Sequence, residues 1–514
     1  MGAAERSIAA VVLATFASRI AGLLRDMVVF ALLGLSPWNG IFVFAFTVPN
    51  LFRRLLGEGA LASAMLPLFS EALASGSQQR AFAFLNQILT RLIATLFPVL
   101  ALVAGLFFAL RSHLGQRWEP ALLFTILLSP TLPLTCLCAM LCGALNGLGS
   151  FGSPALTAIW LNCAMLLAGA AGLIFLPENA AHATLLLCGG VLVGCCIQLA
   201  FPWILMRRRF WKFRWHWESD PHLLRLWKLF LPALAGAAVV QVNATISRLL
   251  AFSLTEDGIS TLYLANRLVE LPLGIFGVAI ATVAFPELSR LAATADHAAF
   301  GECYRSARRS IAMATIPALL GLVLLGRPIL SIFFQWGHYG DCELAKTLPV
   351  LRASALGIPF FSLSAIAVRA FHARQDMATP LRIALVSAAV NLLLTFSLAR
   401  LWGASGIALA GVASSILQWL LLEWRLHPFL GPSPSTFCQN FYKLLLANVF
   451  LTLLLLAIGQ WVPAGMSFRA AALCQLFPSI FLGFAGYFYV LRLVGFAEVS
   501  LFSAIAGHFL KKRR

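Results

Sequence analysis

The strongest constraint in this sequence is the repetition of apolar runs long enough to cross a bilayer. A span takes about 20 residues, and about fourteen runs qualify. Their limits fall near 8–33, 40–70, 83–110, 120–145, 154–176, 183–206, 224–252, 261–289, 309–334, 345–372, 380–401, 403–424, 441–461 and 470–497. Of the 514 residues, 61% are hydrophobic and 11% charged, against roughly 25% charged in soluble domains. Within lipid, each backbone N–H and C=O must find its partner inside the protein, which for such runs means helices. The expectation is an all-α polytopic membrane protein.

The formal net charge is +18. On a soluble chain this would point to nucleic acid. Here the bases lie mostly in short loops, where they set orientation and meet anionic headgroups, so membrane lipids and not nucleic acid are the expected partners. One side of the alternating runs carries Arg80, Arg207-Arg208-Arg209, Lys212, Arg214, Arg225, Lys228, Arg290, Arg305, Arg308, Arg309, Arg374, Arg425 and Lys511-Lys512-Arg513-Arg514. The other carries mainly Arg111, Arg117, Lys346, Arg400 and Arg469, with Glu178, Glu256 and Asp257. The positive-inside rule places the first side, and with it both termini, in the cytoplasm. Trp211, Trp215, Trp217 and Trp227 around the longest basic loop suit an interfacial belt.

The first run contains Arg19 and Arg25 and lacks a clear small-residue cleavage site, so it reads as a retained span. Cys136, Cys138, Cys142, Cys163, Cys188, Cys195 and Cys196 lie in apolar runs without a CxxC pair. They suit close helix packing better than metal or redox chemistry. His338, Asp341 and Cys342 share one short loop, a weak triplet, and no metal or other cofactor is expected.

An internal repeat is visible. Ala60-x-Ala62, Pro67 and Ser70 recur as Ala279-x-Ala281, Pro286 and Ser289. Leu137-x-Ala139, Ala144 and Ser153-Pro154 recur as Leu363-x-Ala365, Ala370 and Thr379-Pro380. The offset spans an even number of runs, so two six-helix halves would share one orientation, the parallel-repeat plan of transporters. The expected parts are an N-terminal lobe 1–206, a basic cytoplasmic linker 207–223, a second lobe 224–425, and two additional helices in 426–514.

Arginines inside these runs carry the chemistry. Ser18-Arg19-Ile20-Ala21-Gly22-Leu23-Leu24-Arg25-Asp26 lies in the first run, and Pro49-Asn50-Leu51-Phe52-Arg53-Arg54-Leu55-Leu56-Gly57-Glu58-Gly59 in the second. An Arg near the centre of a spanning helix costs roughly 3 kcal/mol on insertion scales. The cost is sustained where the charge faces a water-filled cavity and meets an anion. Snorkelling from a helix end is the alternative; it suits Arg54 but not Arg19. Arg25, Arg53 and Arg267 come from three runs without a lysine among them. Converging guanidiniums offer planar bidentate donors that suit phosphate oxygens, so an anionic, phosphorylated substrate follows.

Arg54 and Glu58 stand at i,i+4 and Arg267 and Glu270 at i,i+3. Each Glu is placed either to hold its Arg while the cavity is empty or to form a structural ion pair. Pro49, Gly57 and Gly59 interrupt the second run and read as a hinge, or as ordinary tolerance of Gly and Pro in membrane helices. Gln241, Asn243, Arg248, Asn391 and Gln418 suit interhelical hydrogen bonds.

Taken together, Ser18-Arg19-x3-Leu23-x-Arg25-Asp26 and Pro49-Asn50-Leu51-x-Arg53-Arg54-x3-Glu58-Gly59-Ala60 resemble the N-terminal signature of the MurJ (MviN) family of bacterial lipid II flippases. Asn266-Arg267-x2-Glu270-x-Pro272-x-Gly274, Phe334-Gln335-x-Gly337 and Ala373-Arg374-Gln375-Asp376-x2-Thr379-Pro380 resemble further family segments. The resemblance runs from about Ser18 to Trp424. It implies a MATE-like, fourteen-helix member of the multidrug/oligosaccharidyl-lipid/polysaccharide exporter superfamily. Such a protein moves undecaprenyl-diphosphate-linked disaccharide-pentapeptide, lipid II, from the cytoplasmic to the periplasmic leaflet of the inner membrane.

By motif match, Arg19, Arg25, Arg53 and Arg267 would contact the headgroup. Asp26, Asn50 and Glu58 would lie near the cavity and gate, with Ser18, Arg54 and Glu270 in support. Coupling to membrane potential or to a monovalent cation, and association with the cell-wall synthesis machinery, belong to the same expectation. Where the family commonly has Asp, Lys and Asp, this chain has Gly40, Thr47 and Asn266, so gate contacts differ.

Other functions weigh less. A cation-drug exporter of the same architecture would want buried carboxylates. An O-antigen or other polyprenyl-linked polysaccharide flippase would carry the same diphosphate and stays open. A membrane glycosyltransferase would show clustered Asp residues or a carboxylate base, whereas Asp220, Asp257, Asp296, Asp341 and Asp376 stand singly.

Overall fold

The computed structural model describes residues 3–52, 55, 61–74, 77–113, 115, 117–218, 221–294, 296–431, 437–461, 468–496 and 498. Its regular elements are helical: α1 (Ala3–Leu33), α2 (Pro37–Phe52), α3 (Leu61–Ala74), α4 (Gln78–Leu110), α5 (Trp118–Leu128), α6 (Thr131–Gly147), α7 (Gly152–Phe175), α8 (Ala180–Arg208) and α9 (Pro221–Leu254). There follow α10 (Gly258–Pro272), a π-helical segment Leu273–Val278, α11 (Ala279–Ala293), α12 (His297–Leu324), α13 (Gly326–Phe334), α14 (Asp341–Ala355) and α15 (Ile358–Ala373). The chain continues with α16 (Ala378–Leu426), α17 (Phe437–Gln460) and α18 (Phe468–Leu493).

Among the described residues, ten helical stretches are long and apolar enough to cross a membrane. Helix α16 covers two of the expected runs and breaks between them, where Trp402 and Gly403 leave helical geometry. Gly403 adopts φ 56°, which glycine reaches without a Cβ penalty.

The chain forms two compact units, Met1–Ser260 with Trp336–Gly340, and Thr261–Gln335 with Asp341–Arg514. The division by packing falls after Ser260 because α9 packs on α2 and α3 within the first unit. The lobe boundary expected at 207–223 follows the sequence repeat instead.

In the first unit, α3, α4 and α6 pack on one another around Met65, Phe69, Leu85 and Leu141. In the second, α11, α12 and α15 do the same around Leu288, Tyr304, Ile366 and Ala370. Pro67 lies inside α3 and Pro286 inside α11. Helices α17 and α18 pack on each other, and the Tyr487 hydroxyl donates to the Met313 carbonyl of α12 at 2.8 Å.

Helices in lipid gain little from hydrophobic burial against one another, so close packing carries the association. Helix α1 lies on α7, where a Cβ at Gly169 would stand 2.6 Å from the Val28 side chain.

Gly337 of the Phe334-Gln335-x-Gly337 segment acquires a physical reason in the first unit. Gly337 has φ 56°, and a Cβ there would stand 2.3 Å from the Ala31 carbonyl oxygen. The His338 N–H donates to that carbonyl at 2.8 Å, and Tyr339 packs edge-on against Phe30. His338 Nε2 lies 2.8 Å from the Pro177 carbonyl oxygen, so its ring is engaged within this docked loop.

Helix α12 begins at His297, well before the run expected from 309. Its early turns hold bases assigned above to a loop. Arg308 pairs with Glu423, and Arg309 with Glu302 and Glu498. Arg305 donates to the Leu430 carbonyl at 2.8 Å.

Candidate functional site

Arg25 and Asp26 sit on α1, 7% and 2% exposed. Neighbouring residues on a helix do not face each other, yet the long arginine side chain turns back on Asp26. Its Nε and Nη2 donate to Asp26 Oδ1 at 3.0 and 2.6 Å. Its Nη1 donates to Asn162 Oδ1 of α7 at 2.9 Å. The Asn162 amide in turn donates to the Ser18 carbonyl at 3.2 Å. A buried guanidinium without compensation costs several kcal/mol; here a carboxylate and an amide compensate it through charge-assisted bonds.

This geometry departs from the simplest expectation for Arg25. The side chain does not stand open in this conformation but is held from two directions. Asp26 pairs with Arg25 on α1 as Glu270 pairs with Arg267 on α10. Asn162 was not singled out from the sequence. Its signal was present, because it is the one amide in the run 154–176. Arg19, by contrast, is exposed on α1, and Ser18 is half-buried.

The second unit places Arg267 and Glu270 together on α10, with Nη1 to Oε2 at 3.8 Å and side chains 26% and 45% exposed. The i,i+3 spacing thus gives the expected neighbours. Just beyond, Pro272 leads into the π-helical segment, and a Cβ at Gly277 would collide with Ser362 of α15. Such π segments are frequent at functional sites.

Pro49 is buried inside α2, and Asn50 is half-buried beside it. Pro49 borders an apolar cavity of about 280 Å³ whose other walls include Leu100, Phe107, Leu132 and Leu234, with Thr125 and Ser129 as its polar side chains. None of the candidate arginines among the described residues lines it. Arg53, Arg54, Gly57, Glu58 and Gly59 lie outside the described residues.

At the positions that depart from the family, Thr47 turns its hydroxyl inward and donates to the Val43 carbonyl at 2.7 Å. A Cβ on Gly40 would meet the Glu256 carbonyl oxygen at 3.4 Å. An acid there would therefore stand close to Glu256. Asn266 is half-buried on α10, next to Arg267.

Two of the bases on the less basic side, Arg111 and Arg117, are engaged locally. Arg117 donates to the carbonyls of Thr255 and Glu256 at 2.7 and 3.1 Å and covers the Phe252 ring. Burial draws its pKa below the ordinary arginine value, while Glu256 and Asp257 oppose that shift. Arg111 lies over the Phe108 ring, 3.8 Å from Glu119.

The model of the family described as Lipid II flippase MurJ matches residues 29–479, a stretch that begins just after Asp26 and contains Arg53 and Arg267. A probable lipid II flippase MurJ of Vibrio cholerae serotype O1 is 32% identical over 505 residues, which is 94% of each chain. A probable lipid II flippase MurJ of Thermotoga maritima is 30% identical over 455 residues, 87% of this chain and 90% of its own length.

A solved lipid II flippase MurJ in an inward closed conformation superposes with TM-score 0.78 at 24% identity, over 94% of this chain and 98% of that one. An inward-facing multidrug resistance MATE family transporter of the MOP superfamily superposes with TM-score 0.64 at 14% identity, over 81% and 96% of the two chains. At these identities the two structures speak for the fold, which is MATE-like.

Proposed function

The chain belongs to the lipid II flippase MurJ family, and from that premise we propose that buried Arg25 is one of the groups that receive the lipid II diphosphate during alternating access. The protein is a multi-pass membrane transporter and not an enzyme; its substrate, lipid II, leaves chemically unchanged. The transport runs from the cytoplasmic to the periplasmic leaflet of the inner membrane, with both termini cytoplasmic. The loop charge bias supports that orientation.

The observation that carries the reading of the site is the pairing of Arg25 with Asp26 and Asn162. In this structure the carboxylate neutralises the guanidinium. A diphosphate brings more negative charge and a matching bidentate edge, so it competes for the donors that Asp26 occupies. Asp26 then reclaims them on release. Arg19 is six residues earlier on α1, about 9 Å along its axis, and being exposed it serves the first encounter. Arg53 and Arg267 complete the headgroup set, with Ser18, Asn50, Arg54, Glu58 and Glu270 in support. Pro49, Gly57 and Gly59 provide the bend. Membrane potential or a monovalent cation supplies the driving force, and the cell-wall synthesis machinery is the expected neighbour.

Complementation tests this reading. The chain is expressed in a bacterium depleted of its own lipid II flippase. Growth with the wild type, and loss of growth with Arg25→Ala at normal membrane abundance, are expected. Failure of the abundant wild-type chain to restore growth would remove lipid II as its substrate. Full growth with Arg25→Ala would remove Arg25 from the site.

A further inference from the structure

Residues 207–218 join α8 to α9 and carry bases and aromatic rings that transport leaves unused. Just past the end of α8, Phe210 takes φ 66°, and the N–H groups of Phe210 and Trp211 return to the carbonyls of Arg207 and Met206 at 3.0 and 3.1 Å. A bulky residue rarely adopts that conformation. Here it holds the Phe210 ring 91% exposed among three exposed arginines.

From Trp211 onward the chain runs beside α4, and polar side chains of α4 take up its backbone groups. Asn86 donates to the Lys212 carbonyl at 3.0 Å and accepts from Trp211 Nε1 at 3.0 Å. The Thr90 hydroxyl accepts from the His216 N–H at 3.1 Å. Arg91 donates to the carbonyls of Trp217 and Glu218 at 3.2 and 3.3 Å. Asn86 and Thr90 are buried on a membrane-length helix, and the strap supplies their partners. The segment is therefore fixed in place by side chains of α4.

The fixed strap presents two kinds of group. Trp215 and Trp217 are 58% and 62% exposed and stack with their planes 8° apart. Arg207, Arg208, Lys212 and Arg214 are exposed beside them, and Glu218 is the one acid of the segment. Large exposed rings next to bases suit a boundary that is apolar on one side and anionic on the other. A soluble acidic partner would satisfy the bases and leave the rings in water.

We propose that the 207–218 strap is a preformed docking surface for anionic phospholipid in the leaflet that it faces. The rings seat at the acyl–headgroup boundary, and the bases meet the lipid phosphates. The alignment along α4 fixes the spacing between the two.

The test uses the full chain reconstituted in phosphatidylcholine bilayers, with spin-labelled phosphatidylglycerol or spin-labelled phosphatidylcholine as the probe. The protein-associated fraction of each label gives the preference. The wild type should prefer phosphatidylglycerol, and the preference should fall about fivefold for each base neutralised by Arg→Gln or Lys→Gln at 207, 208, 212 and 214. Arg→Lys at 207, 208 and 214 should retain it, which separates loss of charge from loss of fold. Asn86→Leu keeps every charge but frees the strap, and it should also lower the preference. Inorganic phosphate should displace no more label than chloride at equal ionic strength. A wild type without preference, or a neutralised variant that keeps it, overturns the proposal. An unchanged preference in Asn86→Leu overturns the preformed surface, and selective displacement by phosphate would make this a site for free anions.

Discussion

Arg25 of α1 donates from Nη1 to Oδ1 of Asn162 on α7 at 2.9 Å, far apart in sequence and both buried. The bond turns a charge that lipid would reject into a fixed element of the first unit. It also ties the guanidinium to partners of unequal strength, Asp26 and Asn162 among them.

That inequality gives an ordering. Asn162→Leu leaves one buried N–H edge unsatisfied and should cost about 1–3 kcal/mol. Asp26→Asn removes the carboxylate that pairs with the buried guanidinium and should cost about 3–5 kcal/mol. Thermal unfolding of the purified variants in detergent measures both. A larger loss in Asn162→Leu would show that the amide, not the carboxylate, carries the compensation.

Lysine should not replace the site arginines. An ammonium keeps the charge but not the planar fork that reaches Asp26 and Asn162 together. Arg25→Lys is expected to bind lipid II about ten- to a hundredfold more weakly, as Arg25→Ala does, since one charge-assisted contact is worth roughly 1.5–3 kcal/mol. Arg267→Lys should weaken binding similarly with little loss of stability, because a partly exposed pair such as Arg267–Glu270 contributes about 0–1 kcal/mol. Wild-type binding by both Lys variants would remove the bidentate argument.

The docked loop at Gly337 gives a structural prediction. Gly337→Val adds a branched side chain at φ 56° and drives it into the Ala31 carbonyl. A β-branched residue in the left-handed region costs roughly 1–2 kcal/mol before any collision. The His338 N–H should lose its bond to Ala31, and amide hydrogen exchange of the 336–340 segment should quicken. Unaltered exchange would mean that the loop is held by its other contacts, such as Tyr339 against Phe30.

Asp376 supplies a pH dependence outside the spans. Burial by itself would raise its pKa, but hydrogen bonds from the Thr379 side chain and from the backbone N–H groups of Thr379 and Ala378, with Arg374 nearby, hold it below the ordinary carboxylate range. Its folded value is depressed, so its contribution is present above the unfolded carboxylate pKa of about 3.9 and is lost as pH falls through the folded value. Asp376→Ala should cost about 1 kcal/mol at neutral pH by uncapping the start of α16. The stability gap between wild type and variant should close as pH drops below about 4. A gap independent of pH would assign the loss to packing.

The sequence by itself determined the fold class, because twenty-residue apolar runs have one stable form in lipid. It also marked which charges need compensation, since a guanidinium in such a run is too costly to stand alone in lipid. Arg267 and Glu270 were legible as neighbours because helical spacing is a local property. The partner of Arg25 was not legible. Asn162 reaches it only after α1 and α7 pack closely at Gly169, and no local pattern encodes which amide meets which guanidinium. The same holds for the strap beside α4. The basic loop and its tryptophans stand plainly in the sequence, but Asn86, Thr90 and Arg91 become its clamps only when chain and helix lie side by side. Local periodicity decides what each segment is; the long-range fit of polar groups decides where each is held.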